Sequence, residues 1–188
     1  DTTCTAQFKV IGEDNLYFLA WTTTPWTLPS NTALCVGPNI TYVKVKSSNP
    51  YTGVPATYIV AKDLVGKLFS EKIPFEVLPG EMKGSELVGM RYEQLIPWFR
   101  PDEGAFRVIP GDYVSTEEGT GIVHIAPTFG ADDAKVAKAA GVPGLVVIDR
   151  NGDPQAQVDP RGRFYRVEDL DPEYVKERVS DEYREWAG

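Results

Sequence analysis

Three consecutive threonine hydroxyls lie between two indole rings in the run WTTTPWTLPSN, which covers residues 21–31. The side chains concerned are Trp21, Thr22, Thr23, Thr24 and Trp26. Side chains alternate faces along a strand and proline cannot donate to a ladder, so this order is unsuited to a core strand. We predict a strand that breaks into a stiff loop lined with hydroxyls and aromatic planes, a surface suited to a sugar, a base or a water molecule. The alternative is a Thr-rich edge strand whose indoles belong to the core.

A second run, GTGIVHIAPTFGADD, covers residues 119–133 and ends on two carboxylates. Asp133 falls in the first turn of a helix predicted over 131–140, where free N–H groups and the helix dipole favour the ionised carboxylate. A fixed carboxylate can hold an ammonium ion, so Asp133 is the first candidate for chemistry. In the alternative interpretation Asp132 or Asp133 only caps the helix, and Asp132 suits that role better.

His124 is the only histidine of the chain and lies in an apolar pattern over 122–126. With a period of two it shares a face with Ile122 and Ala126, as a core histidine with satisfied hydrogen bonds would. The Gly-Thr-Gly before it and Pro127 after it also fit a strand that enters a pocket wall. Neither run places a serine, cysteine or lysine beside a histidine, so water is the expected nucleophile if the site hydrolyses a bond.

Together the two runs resemble the editing (CP1) domain of class I aminoacyl-tRNA synthetases, in particular of the isoleucyl type. The order Trp-Thr-Thr-Thr-Pro-Trp-Thr-Leu-Pro separates this type from the valyl and leucyl types, which have Thr-Thr-Arg-Pro there. The segment from His124 to Asp133 also follows the isoleucyl pattern, whereas the chain between the runs resembles the family only loosely. The resemblance implies an α+β fold with a β-barrel-like body and a few short peripheral helices. Because the chain has no initiating Met, we expect residues 1–188 to be a single editing domain excised from a larger synthetase.

The resemblance implies that Asp133 anchors the α-amino group of the substrate, and that His124 lies beside the substrate side chain and excludes isoleucine. The expected reaction is hydrolysis of valyl-tRNA mischarged on the isoleucine tRNA, with valyl-adenylate as a second substrate. Isoleucyl-tRNA synthetases are the standard example of why such a step is needed, since one methylene is worth only about 1–3 kcal/mol of discrimination.

The hydroxyls and indoles of the first run also receive roles from the resemblance. Thr22, Thr23 and Thr24 would hold the attacking water or the ribose hydroxyls of the terminal adenosine. Catalysis would then come mainly from positioning, with help from the substrate's own free ribose hydroxyl. Trp21 and Trp26 would pack on the adenine or shape the pocket, and Trp26 as plain core is an equal alternative.

The composition restricts the partners. The net charge is −8, whereas proteins that grip nucleic acid by themselves are usually basic. We expect contact with the 3′ aminoacylated end of tRNA and its valine moiety, while the remainder of the parent synthetase supplies most phosphate contacts. No apolar stretch approaches the ~20 residues that span a bilayer, so we expect no membrane partner and a cytoplasmic location.

No cofactor or metal is expected in this domain. The chain contains neither His-Ile-Gly-His nor Lys-Met-Ser-Lys-Ser, the ATP-handling signatures of the parent class. ATP and Mg²⁺ are therefore expected in the parent ligase, outside this chain. Cys4 and Cys35 show no spacing typical of a zinc site. We predict that both are free thiols, with Cys35 buried.

Short apolar runs punctuated by Gly and Pro predict many short strands and few helices. The predicted strands cover residues 6–11 and 15–21 (a hairpin), 33–36, 41–46, 57–61, 74–78, 105–109, 121–125 and 145–149. Helices are predicted over 62–69, 131–140 and about 171–186, the last with Asp171 as N-cap and Pro172 as first helical residue. The polar segment 150–165 is interpreted as a flexible flap.

Two other functions fit parts of the pattern. A non-catalytic module that only positions the acceptor end would also lack a nucleophile and have an acidic surface. A homologous editing domain of the valyl type would remove threonine instead. The order Thr24-Pro25-Trp26 and the presence of His124 argue against that second alternative.

Overall fold

Short strands dominate the fold. The computed structural model describes residues 3–70 and 72–186. Its strands are β1 (Cys4–Lys9), β2 (Leu16–Thr22), β3 (Ala33–Val36), β4 (Thr41–Ser48), β5 (Pro55–Ala61), β6 (Glu76–Val77), β7 (Met82–Lys83), β8 (Arg107–Pro110), β9 (Ile122–Ile125), β10 (Val147–Ile148) and β11 (Pro154–Gln155). Its α-helices are α1 (Val65–Leu68), α2 (Gly84–Leu87), α3 (Ala131–Ala139), α4 (Pro172–Arg178) and α5 (Tyr183–Trp186), and 3-10 helices cover Pro25–Ser30, Lys62–Leu64 and Val167–Asp169. Among the described residues no helix has the length and apolar character needed to cross a membrane.

Two sheets that share a hydrophobic core form the body. The larger has the strand order β1-β2-β5-β4-β6, with β7 also paired to β4, and the smaller has the order β8-β3-β9. Strand β3 is buried on both faces, because Leu34 and Val36 join the shared core while Ala33 and Cys35 join a second cluster with α3 residues such as Ala137. Burying an apolar side chain of this kind contributes roughly 1.5–3 kcal/mol. The predicted α+β class with short peripheral helices is confirmed.

The local predictions hold best where neighbouring residues decide the structure. The hairpin forms from β1 and β2, with Lys9 opposite Tyr17, and β3 and α3 lie where the sequence predicts them. Cys4 and Cys35 are free thiols, and Cys35 is buried as predicted. The helix predicted over 62–69 is instead a 3-10 turn followed by the four residues of α1. The 3-10 helix Pro25–Ser30 was not predicted, although Pro25 occupies its first turn.

The prediction of one final helix over 171–186 is wrong, since the segment contains two. The first helix, α4, starts as predicted, because the Asp171 carboxylate caps it by accepting the N–H of Tyr174 at 2.9 Å. It nevertheless ends at Arg178, and α5 begins only at Tyr183.

The break after α4 has a tertiary cause. The carbonyl of Arg178 accepts the N–H of Arg100, and the N–H of Ser180 donates to the carbonyl of Trp98, both at 2.8 Å. These groups therefore pair with another segment rather than with the next helical turn. Val179 between them is accordingly extended, with φ −111° and ψ 128°.

The segment 150–165 is tied to the body rather than free of it. Gln157 is fully buried. Its side-chain carbonyl accepts the hydroxyl of Ser30 at 2.8 Å, and its amide donates to the carbonyl of Pro29 at 3.2 Å. The interpretation as a flap therefore overlooked an anchor on the 3-10 helix that follows the threonines.

Candidate functional site

The two sequence runs meet at one cavity of about 360 Å³. Six of the seven predicted site residues line it, namely Trp21, Thr22, Thr23, Thr24, His124 and Asp133. The volume falls within the ~300–1,000 Å³ that is typical of small-molecule sites. The fold thus brings the chemically competent groups of both runs to one concave surface, while their individual roles stay predictions.

Sheet pairing explains how distant residues converge. Strand β2 ends at Thr22 and delivers the threonines to the rim of the larger sheet. In the smaller sheet β3 pairs antiparallel with β9, which places His124 opposite Leu34. The loop after β9 then leads into α3, whose third residue is Asp133.

Glycine lets the chain pass close to the larger sheet just before β9. Gly121 has a φ of +78°, and a Cβ there would lie 2.4 Å from the Cβ of Ala61. Gly119 has a φ of +75° and lies against the indole of Trp21. The hydroxyl of Tyr42 donates to the carbonyl of Gly121 and holds this passage in place. The position of β9, and so of His124, depends on this close approach.

The threonine hydroxyls divide into structural and exposed groups. Thr22 is buried and its Oγ1 accepts the N–H of Thr24 at 3.0 Å. Thr27, also buried, donates its hydroxyl to the carbonyl of Thr24 at 2.9 Å. Thr23 and Thr24 have exposed side chains. The buried pair therefore shapes the turn, and the exposed pair lines the cavity, with Thr24 Oγ1 3.4 Å from the hydroxyls of both Thr22 and Thr27.

His124 is a buried, neutral side chain with both ring nitrogens in use. Its Nε2 lies 3.0 Å from Thr27 Oγ1 and its Nδ1 lies 2.8 Å from Asn31 Nδ2. An amide nitrogen donates, so Nδ1 accepts and the ring proton resides on Nε2. Burial lowers the pKa of His124 from 6.5 to about 4. The ring therefore forms a cavity wall and has no free lone pair with which to act as a general base.

Asp133 does not cap its helix. The N-cap residue of α3 is Gly130, and in the described part of the chain no side chain caps the helix. Instead, Asp133 Oδ2 accepts the N–H of Ala126 from the preceding loop at 3.1 Å. The structure thereby excludes simple capping by Asp132 or Asp133.

The Asp133 carboxylate has spare capacity for a cation. Among residues 3–70 and 72–186, none of the ion pairs involves it. Burial raises its pKa above the ordinary 3.8, the bond from Ala126 lowers it, and the nearby charge of Asp132 raises it further. A half-buried carboxylate in this state gains from a bound positive charge, since an opposite charge restores the ionised form.

The two predicted tryptophans differ in position. Trp21 lines the cavity, whereas Trp26 does not and has a side chain that is 50% exposed. The Trp26 ring packs edge-on against Phe129 at a centroid distance of 5.0 Å, and Phe129 lines the cavity. Trp26 therefore belongs neither to the core nor to the cavity wall. It packs against Phe129, which is part of the cavity wall.

Several residues of the site were not predicted. Thr27 and Asn31 hydrogen-bond with His124 inside the protein. The only signal for them in the sequence is that both are polar residues of the first run. Phe129 lies in the second run and lines the cavity, whereas Tyr113 lines it from outside both runs without a local signal that marks it. In the described part of the chain, His, Cys, Asp and Glu side chains form no group of three or more that could hold a metal ion.

The amino-acid sequence is similar to isoleucine–tRNA ligases along its whole length. It is 55% identical over 211 aligned positions to the enzyme of Bacteroides fragilis, covering 100% of this chain and 18% of that protein. Similarity extends to the enzyme of Thermoplasma volcanium, at 46% identity over 81% of this chain and 14% of that protein. The chain thus spans less than a fifth of the length of these relatives. No protein-family model matches the chain.

Solved structures show the same fold at low identity. The Plasmodium knowlesi cytosolic leucyl-tRNA synthetase editing domain matches with a TM-score of 0.57 and 15% identity, over 85% of this chain and 73% of that one. The Plasmodium falciparum cytosolic leucyl-tRNA synthetase editing domain matches with a TM-score of 0.54 and 17% identity, over 70% of this chain and 49% of that one. With its identity to the ligases along its whole length, the chain belongs to the isoleucine–tRNA ligase family, of which it matches a segment, and its fold is that of the leucyl-tRNA synthetase editing domains.

Proposed function

We propose that this domain hydrolyses the ester bond of valyl-tRNA mischarged on the isoleucine tRNA, with valyl-adenylate as a second substrate. The observation that carries the proposal is the single cavity that holds the Asp133 carboxylate, the exposed threonine hydroxyls and the His124 wall. Its volume of about 360 Å³ suits an aminoacylated terminal nucleoside rather than a longer nucleic acid.

Asp133 is proposed to bind the α-ammonium group of the amino acid. One carboxylate oxygen, Oδ2, is held by the N–H of Ala126, which leaves Oδ1 to receive the ammonium. A hydrogen bond between two charged groups is roughly twice as strong as a neutral one. Anchoring the amine in this way fixes the ester carbonyl two bonds away, so positioning is the main catalytic contribution.

Water is proposed as the nucleophile, with Thr23 and Thr24 as its holders or as partners of the ribose hydroxyls. The water oxygen adds to the ester carbonyl and the bond between that carbon and the ribose oxygen breaks. Valine leaves as the carboxylate, the ribose oxygen takes up a proton, and one proton is released. Both ring nitrogens of His124 are engaged, so His124 has no lone pair with which to take a proton from the water. The neighbouring free ribose hydroxyl of the substrate is the group proposed to assist the attack.

Size selection is proposed to come from the His124 wall. The ring is held at both nitrogens and cannot turn away without breaking buried hydrogen bonds. Valine fits beside it, and isoleucine, with one more methylene, is excluded by overlap. Overpacking by a methylene typically costs about 1–3 kcal/mol, which adds to the discrimination at the synthetic site.

The remaining functions belong to the proposed parent enzyme. It would ligate isoleucine to tRNA in the cytoplasm with ATP and Mg²⁺ bound outside this chain, whereas the editing reaction would need no cofactor. The net charge of −8 favours contact of this domain with the 3′ end only, the body of the tRNA being held by the rest of the synthetase.

The test compares hydrolysis of valyl and isoleucyl esters of the tRNA 3′ end by wild type, Asp133→Asn and Asp132→Asn. Asp132 is the matched control, because it is exposed and lies on the same helical turn without lining the cavity. We expect loss of the valyl ester alone, abolished by Asp133→Asn and retained in Asp132→Asn.

Other outcomes of the same experiment decide against the proposal. Undiminished hydrolysis by Asp133→Asn would remove the assigned amine anchor. Faster loss of a threonyl ester than of the valyl ester would assign the threonine specificity instead. If no ester is lost, the full-length synthetase carrying the same substitutions is assayed, and valyl ester that is bound yet not hydrolysed there would establish a non-catalytic module.

A further inference from the structure

We propose that Tyr92 is a positioning residue for the cavity: its hydroxyl holds the side-chain amide of Asn31, which keeps the ring proton of His124 on Nε2. The hydrogen bonds involved belong to the chain itself, and their consequence for hydrolysis rests on the function proposed above. Tyr92 lies outside both sequence runs and does not line the cavity.

The orientation of the Asn31 amide is set from two sides. Its Nδ2 donates to the carbonyl of Ala33 at 2.9 Å and lies 2.8 Å from His124 Nδ1. Its Oδ1 accepts the hydroxyl of Tyr92. A carbonyl oxygen only accepts, so the amide nitrogen must face Ala33 and His124. Because Asn31 is only 3% exposed, water is a poor substitute for either partner.

The ring of Tyr92 is fixed by its neighbours, and its hydroxyl stays protonated and can donate a hydrogen bond. Its ring packs edge-on against Phe8 at 5.3 Å and against Phe106 at 6.0 Å between centroids. Its backbone N–H donates to the carbonyl of Phe106 at 3.1 Å. Burial keeps the pKa of Tyr92 well above the ordinary 10.0, against a smaller lowering by Asn31, so the hydroxyl retains its proton. Removing that hydroxyl leaves the Asn31 oxygen unpaired in the core, which weakens the hold on the amide from that side.

The position of the proton on His124 decides whether the Thr27 hydroxyl can donate to the threonine turn. With the proton on Nε2, the ring donates to Thr27, whose own proton is free to bond the carbonyl of Thr24. With the proton on Nδ1, Thr27 would have to donate its hydroxyl to the ring, and the carbonyl of Thr24 would keep only the backbone N–H of Thr27 at 3.0 Å. Tyr92 thus acts on Thr24 through Asn31, His124 and Thr27 in turn.

The test uses the fact that His124 is the only histidine. ¹⁵N labelling of histidine gives one pair of ring signals in the 188-residue chain, and the couplings to ring protons assign which nitrogen carries the proton. Tyr92→Phe keeps the packed ring and removes only the hydroxyl. Tyr183→Phe is the matched control, since Tyr183 is fully buried and its hydroxyl bonds the carbonyl of Tyr165, in a separate cluster.

We expect Nε2–H alone in wild type and in Tyr183→Phe. In Tyr92→Phe we expect a minor fraction of Nδ1–H, because the carbonyl of Ala33 still holds the Asn31 amide from one side. Valyl-ester hydrolysis by Tyr92→Phe should fall, by up to about 100-fold for a misplacement of about 1 Å. An Nδ1–H ring in wild type, or an unchanged His124 spectrum in Tyr92→Phe, would overturn the proposal.

A second variant keeps the test decisive if Tyr92→Phe does not fold. Asn31→Asp replaces the donor that faces His124 Nδ1 with a carboxylate, so the proton should move to Nδ1 and the titration of the ring should shift to higher pH. Retention of Nε2–H in Asn31→Asp would contradict the proposed chain of hydrogen bonds. The spectra need no substrate, so absence of hydrolysis in wild type would count against the proposed function and leave this result standing.

Discussion

The imidazole Nε2 of His124 lies 3.0 Å from the hydroxyl of Thr27, although 97 residues separate the two in sequence. This contact joins the strand that ends in the second run to the turn that follows the threonines. It is buried at both ends, since the two side chains are 8% and 6% exposed. The cavity wall and the threonine turn are therefore one hydrogen-bonded unit. A substitution in either part should perturb the structure of the other.

Replacing Thr27 by valine should destabilise the chain. The substitution keeps the shape of the side chain, leaves His124 Nε2–H without its partner and removes one of the two hydrogen bonds to the carbonyl of Thr24, which keeps the backbone N–H of residue 27. The unpaired buried N–H should cost about 1–3 kcal/mol. Thr32→Val is the matched control, because the buried hydroxyl of Thr32 has no hydrogen-bond partner among residues 3–70 and 72–186. Urea denaturation should place Thr27→Val below wild type and Thr32→Val at or above it. Equal losses would mean that the Thr27 hydroxyl is not part of a coupled unit.

Stability should fall in mild acid because of His124. Its pKa is about 4 in the folded chain against an ordinary 6.5, so the unfolded chain takes up a proton first. The contribution is fully present above pH 6.5 and is lost as pH falls towards 4, amounting to about 3 kcal/mol. The free energy of unfolding measured across this range should change less in His124→Gln than in wild type. Parallel curves for the two proteins would rule out a buried neutral histidine.

Hydrolysis of the valyl ester should have an acid limb set by Asp133. Burial raises the pKa of this carboxyl above 3.8, and only the ionised form can hold the ammonium group. The rate should therefore fall as pH drops through that raised pKa. Stability responds in the opposite sense, since a raised carboxyl pKa contributes stability that is lost as pH rises through it.

Asp132 provides the control for assigning this acid limb of the pH–rate profile to Asp133. The charge of Asp132 helps to raise the pKa of Asp133, so Asp132→Asn should move the limb of kcat/KM to lower pH. The activity above the limb should be retained. A limb that moves to higher pH in Asp132→Asn would show that another group governs it.

Gly121→Ala should cost more stability than Gly12→Ala. Both positions have positive φ, +78° and +85°, so both alanines pay about 1–2 kcal/mol for the left-handed conformation. Only at Gly121 would the new Cβ meet another atom, at 2.4 Å from Ala61, which adds about 1–3 kcal/mol of overpacking. Thermal unfolding of the two variants isolates this difference, and equal midpoints would mean that the close approach before β9 is not tight.

The amino-acid sequence by itself determined those features that depend on near neighbours. The hairpin of β1 and β2, the bounds of β3 and the start of α4 at Pro172, after the Asp171 N-cap, follow from period, turn residues and caps. The two runs also identified most residues that line the cavity. Such features can be predicted from a few neighbouring residues, because the hydrogen bonds of turns and helix ends join residues that are close in sequence.

Only the tertiary structure decided which groups the runs would meet. The break after Arg178 depends on pairing with Arg100, and the anchor of Gln157 depends on Ser30. The proton of His124 is placed through Asn31, whose other partner is Tyr92, 61 residues further along the chain. These partners are chosen by the register and packing of distant segments. No local pattern encodes that choice, because the free energy that favours it comes from burial and from satisfying polar groups inside the assembled core.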